Sequence, residues 1–199
     1  MKGILLCAFI ALLGLAVFWG SAFAQSFPTN TGSVMLTGAF QFTNAGGDLY
    51  EDGDGDRATM ISFNPVVNVF ATPGFSLGGG LTFAYASQGD YSQTTWGIGP
   101  RMAYFIGGHK PRASAKGTVY PYLGTAFQYI HSAVDYGWGD FSASGTMIYF
   151  GFGFMNMITN TVGLFGEGGY QIDSQKPEDG DSESGTKINI VLGLASFLY

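Results

Sequence analysis

The chain has 199 residues, with 14 acidic against 8 basic side chains for a formal charge of −6, and a single cysteine. That balance excludes a nucleic-acid-binding basic stripe, the lone cysteine excludes a disulfide framework, and 32 glycines without a Gly-X-Y period exclude a collagen-like chain. The remaining peculiarity is 16% aromatic residues beside only 11% charged ones.

Residues 1–24 read as a signal peptide: Lys2 precedes an apolar run from Ile4 to Trp19, and Ala22-Phe23-Ala24 is a small-x-small cleavage site. Cleavage is expected between Ala24 and Gln25, removing Cys7 and leaving one domain over residues 25–199.

Beyond that point the chain alternates with period 2, the signature of β-strands. Val34, Leu36, Phe40 and Phe42 oppose Ser33, Thr37, Ala39 and Gln41, and Ile61, Phe63, Val67 and Val69 oppose Ser62, Asn64 and Asn68. The clearest stretch is residues 75–86, where Phe75, Leu77, Leu81, Phe83 and Tyr85 face away from Ser76, Gly78, Gly80, Thr82 and Ala84. Trp96 to Ile106, a segment at 118–131, Ile148 to Phe154, Val162 to Ile172 and a last segment at 186–199 bring the expected number of strands to eight. In the last, Ile188 to Leu194 argue for one facing while Phe197 and Tyr199 argue for the other, which a bulge could reconcile. Three compact connections, at 72–74, 107–117 and 156–160, alternate with polar ones expected near 44–57, 87–93, 132–141 and 174–185.

One strand face is large and apolar, the other small or polar, and almost no charge lies within a strand. A soluble sheet would carry Lys and Glu on its solvent face. The inverted pattern fits an all-β, eight-stranded antiparallel up-and-down transmembrane barrel, with lipid against the apolar face and a narrow interior filled by small and polar groups. Closure pairs every backbone amide, which hydrocarbon could not do.

The signal peptide, the eight alternating strands, Pro121-Tyr122-Leu123-Gly124 and the terminal aromatic Tyr199 resemble the small outer-membrane barrels of Gram-negative bacteria, the outer-membrane protein A, opacity-like and adhesion/invasion type. The resemblance implies the Gram-negative outer membrane, Tyr199 as part of the signal read by the barrel-assembly machinery, lipopolysaccharide as a neighbour, and a monomer. Members of that group range over anchors, adhesins, narrow channels and lipid-modifying enzymes, so function does not follow from the resemblance; the role expected here is a non-catalytic envelope anchor or surface-interaction protein working through its outward loops, without a cofactor.

Several residues carry candidate chemistry. Arg101 and Glu167 share the inward parity and a similar depth, so an interior ion pair is expected, either plugging the barrel or gating a narrow ion pore. Asp52, Asp54 and Asp56 start like a calcium loop, but Arg57 stands at the required glycine and Phe63 at the bidentate glutamate. They lie in the first of two acidic connections, 44–57 and 174–185, which with Asp173 just before the second hold ten of the fourteen acidic residues as one acidic rim, so loose divalent-cation binding is the stronger metal reading. His109, Lys110, Arg112 and Lys116 make a basic turn at the opposite end. A lipid-modifying enzyme, the third alternative, would rest on His131, Ser132 and Asp135. Adjacent strand residues point to opposite faces, so His131 and Ser132 do not share a proton.

Overall fold

A computed structural model describes residues 27–45, 56–110, 114–137, 139–177 and 181–199. The signal segment, Gln25 and most of the first acidic connection, including Asp52 and Asp54, lie outside the described residues.

Eight antiparallel strands run in chain order and close on themselves: β1 (Val34–Ala45), β2 (Ala58–Thr72), β3 (Phe75–Gln88), β4 (Tyr91–Phe105), β5 (Val119–Asp135), β6 (Asp140–Met157), β7 (Val162–Pro177) and β8 (Glu183–Leu198). The alternation in sequence becomes the alternation in space. Leu77, Phe83, Trp96, Leu123, Phe127, Phe150, Phe152, Leu164 and Tyr170 are all exposed on the outer surface, forming an apolar belt around the barrel. Towards one end of that belt the outward row turns polar: Trp96 gives way to Thr94, Ile148 to Thr146, and Ile188 to Thr186. Trp96 packs there at a tilt against Tyr129 and His131, at 5.8 and 5.7 Å between ring centres.

The two ends differ. At the turn end, where residues 27–33 and Tyr199 lie, connections are 73–74, 106–118 and 158–161; at the loop end they are 46–57, 89–90, 136–139 and 178–182. This corrects the expectation of longer loops on one side. The polar stretches expected as loops at 87–93, 132–141 and 174–185 are mostly strand, pairing continuously from Gln88↔Tyr91, Asp135↔Asp140 and Gln175↔Glu183. Their backbones keep the ladder after their outward side chains have become hydrophilic, so polarity marks the edge of the belt rather than the end of the strand. A strand crossing hydrocarbon needs about 9–11 residues, and six of these have 15 or more.

No bulge interrupts β8, whose register with β7 is unbroken from Val162↔Ser196 to Gln175↔Glu183. Phe197 keeps the inward parity and is fully buried, while Leu198 faces out. The interior is therefore not uniformly polar, which corrects the second expectation. At the turn end it is an aromatic and aliphatic core: Met35, Phe70, Phe105, Tyr120, Tyr122, Met155, Met157, Phe165 and Phe197 pack together. Phe70 stands 5.4 Å from Phe105 and 6.4 Å from Phe197 between ring centres.

Residues 27–33 cap this core. The Gly32 amide donates to the Phe70 carbonyl, and the Phe70 amide to Ser33. Thr29 is buried and its hydroxyl donates to the Gly108 carbonyl at 2.8 Å. The Gly74 amide donates to the Thr29 carbonyl; Gly74 has φ +81°, and a Cβ there would come within 3.0 Å of the Phe105 carbonyl oxygen. The basic turn is tied down as well, because the Asn160 side-chain oxygen accepts from Ser114 Oγ and from the amides of Ala115 and Lys116.

Candidate functional site

Above the apolar core lies a belt of charge. Arg101 Nη2 donates to both carboxylate oxygens of Glu167, at 2.9 and 2.7 Å. The Tyr149 hydroxyl donates to Glu167 Oε1 at 2.7 Å, and Tyr122 hydrogen-bonds the same carboxylate. The guanidinium carbon sits 5.9 Å from the Tyr149 ring centre, within cation–π range. The Glu167 side chain is 3% exposed and that of Arg101 21%. The carboxylate is thus sealed, while the guanidinium still meets the space above it.

Glycine makes the room. A Cβ at Gly151 would lie 2.8 Å from the Tyr149 hydroxyl and 3.0 Å from the Glu167 carboxyl carbon, and one at Gly169 would collide with the Tyr149 ring. At Gly153 it would come within 2.6 Å of the Tyr122 ring. The inward glycines of β6 and β7 are the cradle in which two tyrosines lie flat enough to reach Glu167.

From the face of the turn-end core, where Met35, Phe105, Met155 and Phe165 line its bottom, the lumen opens past this belt towards the loop end into a cup of about 630 Å³ with polar upper walls. One wall carries a chain of bonds: Lys187 pairs with Asp173 at 2.8 Å, Gln171 donates to Asp173 at 2.7 Å, and Asn189 donates to Gln171 at 2.8 Å. The opposite wall carries Thr82 donating to Gln128 at 2.9 Å and Thr95 bonded to Ser132 at 3.0 Å. On the floor, Asn68 is fully buried and its amide has no partner among the described residues.

Arg101 and Glu167, expected as an interior pair, are brought together. Asp173, read as part of an acidic rim, instead points inward and is held by Lys187, whose role the sequence reading missed. The signal was available: Lys187, Asn189, Val191 and Phe197 share one parity on β8. Asp56 is exposed, and among the described residues no group of three or more His, Cys, Asp or Glu could hold a metal. Tyr199 is at the turn end, its hydroxyl donating to the Asn160 carbonyl at 3.0 Å.

His131 and Ser132 do face opposite sides, with Ser132 inside the cup. The missing partner comes from the neighbouring strand. His131 pairs in register with Ser144, and His131 Nδ1 lies 2.9 Å from Ser144 Oγ on the outer surface, beside Trp96. Asp135, on the same outward row, is four residues further along β5, roughly 13 Å at strand rise, and its carboxylate caps the turn by accepting from the Gly137 amide.

No protein-family model and no curated protein matches the chain. Among solved structures, Neisserial surface protein A superposes with a TM-score of 0.50 at 17% identity, over 82% of this chain and 95% of that one. The fold is shared with that surface protein. The translocator domain of the autotransporter NalP from Neisseria meningitidis gives 0.48 at 15% identity, over 94% and 69% of the two chains. A major outer membrane protein from Thermus thermophilus gives 0.37 at 12%, over 83% and 99%.

Proposed function

We propose that this protein is an integral outer-membrane barrel, sealed at its turn end, that acts without catalysis as an envelope anchor or surface-interaction protein through its loop end. The observation carrying this reading is the pairing of an outward apolar belt with a lumen blocked by the Phe70–Phe105–Phe197 core and the Arg101–Glu167 belt. A surface rich in exposed aromatic and aliphatic side chains is stable only where it meets lipid or another apolar partner. A narrow pore gated by Arg101 and Glu167 would need an open path below that pair, and the packing of Phe70, Phe105 and Phe197 there supports the sealed reading instead.

In this reading the turn end, with residues 27–33 and Tyr199, faces the periplasm, Tyr199 serves assembly, and the loop end stands among lipopolysaccharide head groups, with the acidic residues near 46–57 drawing divalent cations. The non-catalytic part is supported at His131–Ser144, where no carboxylate among the described residues is hydrogen-bonded to the imidazole to orient it.

Labelling tests the topology. In the cysteine-free mature chain, Asp181→Cys should react with a membrane-impermeant maleimide on intact cells, and Lys110→Cys only after lysis. The reverse pattern, or no labelling of either until lysis, would overturn the assignment.

A further inference from the structure

The barrel closes over only part of its height. β1 and β8 pair from Val34↔Leu198 to Gly38↔Leu194, and among the described residues no pair follows. Neither strand ends there. β1 continues bonded to β2 as far as Ala45↔Ala58, and β8 continues bonded to β7 from Gly193 to Glu183. Two intact strand edges therefore stand apart from the middle of the barrel to the loop end.

Exposure records the gap. Leu194, the last paired residue, is 58% exposed, and beyond it Leu192, Ile190 and Ile188 rise to 75, 83 and 81%. Phe40 and Phe42 across the gap reach 69 and 60%, whereas on β2 to β7 the highest apolar value is 56%, at Phe150. The cup runs out through this slot, because its lining joins inward residues such as Gln171, Lys187 and Asn189 to Phe40, Ile190 and Leu192 of the outward rows. The foot of the slot is built. The Phe165 ring lies under Gly193, where a Cβ would come within 2.7 Å of it and 3.2 Å of the Gly38 carbonyl oxygen.

We infer that the β1–β8 slot is a lateral portal through which a membrane amphiphile places an uncharged, hydrogen-bonding head in the cup while its hydrocarbon tail stays against Phe40, Ile190 and Leu192. The inference rests on the outer-membrane reading, since only there is the slot bathed in acyl chains. Strand edges facing hydrocarbon alone are not tolerated, but backbone lining a water-filled cavity is, and the cup supplies that. The head is uncharged because the cup's charges are already paired, Arg101 with Glu167 and Lys187 with Asp173. What remains on offer is the further hydrogen-bonding capacity of amides and hydroxyls that hold one another in place, Asn189 with Gln171 and Thr82 with Gln128. The volume suits a head group of modest size.

The test uses tryptophan quenching in vesicles of phosphatidylcholine with brominated chains, on folded mature protein carrying Trp138→Phe. Trp96 faces outward and reports on the membrane reading. A second variant, Trp96→Phe/Trp138→Phe/Asn189→Trp, places the only tryptophan inside the cup, and Val191→Trp in the same background repeats the measurement lower down. Brominated chains should quench the cup reporter as they quench Trp96. The quenching should be lost when Phe40→Cys and Leu192→Cys, the pair next but one above Gly38↔Leu194, are oxidised to a disulfide. Octyl glucoside below its micelle concentration should shield the cup reporter from aqueous acrylamide, and octyl sulfate should not.

If Trp96 itself escapes quenching, the membrane reading fails. If Trp96 is quenched while both cup reporters are not, the portal fails alone. Equal shielding by octyl sulfate overturns the choice of head group. A disulfide forming between two chains at positions 40 and 192 would replace the amphiphile by a second copy of the barrel.

Discussion

Removing Arg101 should cost far more than neutralising Glu167, although the two form one ion pair. In Arg101→Met the carboxylate of Glu167, 3% exposed, keeps only tyrosine hydroxyls as partners. Leaving a buried charge without its counter-ion costs about 3–5 kcal/mol. In Glu167→Gln the amide oxygen still accepts from Tyr149, and Arg101, 21% exposed at the edge of the polar cup, can be hydrated. That loss should be roughly 1–2 kcal/mol, the scale of a charge-assisted hydrogen bond weakened but not orphaned. The double variant Arg101→Met/Glu167→Leu removes both charges and should recover most of the Arg101→Met loss, since apolar replacement of a buried pair is often neutral. Equilibrium urea unfolding in lipid vesicles, followed by Trp96 fluorescence, measures all three. Equal losses in the two single variants, or a double variant whose loss is their sum, would refute the claim that Glu167 is a sealed charge dependent on Arg101.

Other consequences can be checked with the same assay. Gly169→Ala puts a methyl into the Tyr149 ring and should destabilise by about 1–3 kcal/mol, as overpacking does; a neutral result would mean that the tyrosine cradle is loose. Phe70→Ala, at a fully buried ring in the turn-end core, should cost about 3–5 kcal/mol. Asn68→Leu removes a buried amide that has no protein partner among the described residues, and should leave stability unchanged or raise it by about 1 kcal/mol. His131→Ala should leave the lipid A profile of overexpressing cells as it is, and a change in that profile would make the His131–Ser144 pair catalytic.

Facing was legible in the sequence wherever one side of a strand was large and the other small. Arg101 and Glu167 were legible for the same reason, since a charge on the small face of a lipid-bounded barrel has nowhere to go but inward. Strand ends were not. Ser142, Ser144 and Thr146 on β6, or Ser174 and Lys176 on β7, have no hydrophobic alternation to betray them, yet the backbone ladder runs on because their neighbours extend equally far. Phe197 misled for a different reason. An inward aromatic contradicts a polar lumen, but Phe70, Phe105, Tyr120, Met155 and Phe165 each fall on the inward parity close to the turn end, and together they announce an apolar plug. The β1–β8 slot left no sequence mark, because Phe40, Phe42, Ile188 and Ile190 read like any other outward row.

Single-channel recording on the mature chain refolded into a planar bilayer bears most directly on the sealed barrel. Folding would first be confirmed by heat-modifiable gel mobility. The Phe70–Phe105–Phe197 core and the Glu167 belt together predict a silent bilayer, with openings emerging only in a variant that hollows out the core, such as Phe70→Ala/Phe105→Ala. Reproducible openings from the unaltered protein, changed in size by Arg101→Ala, would contradict that account and make the charged belt a gate.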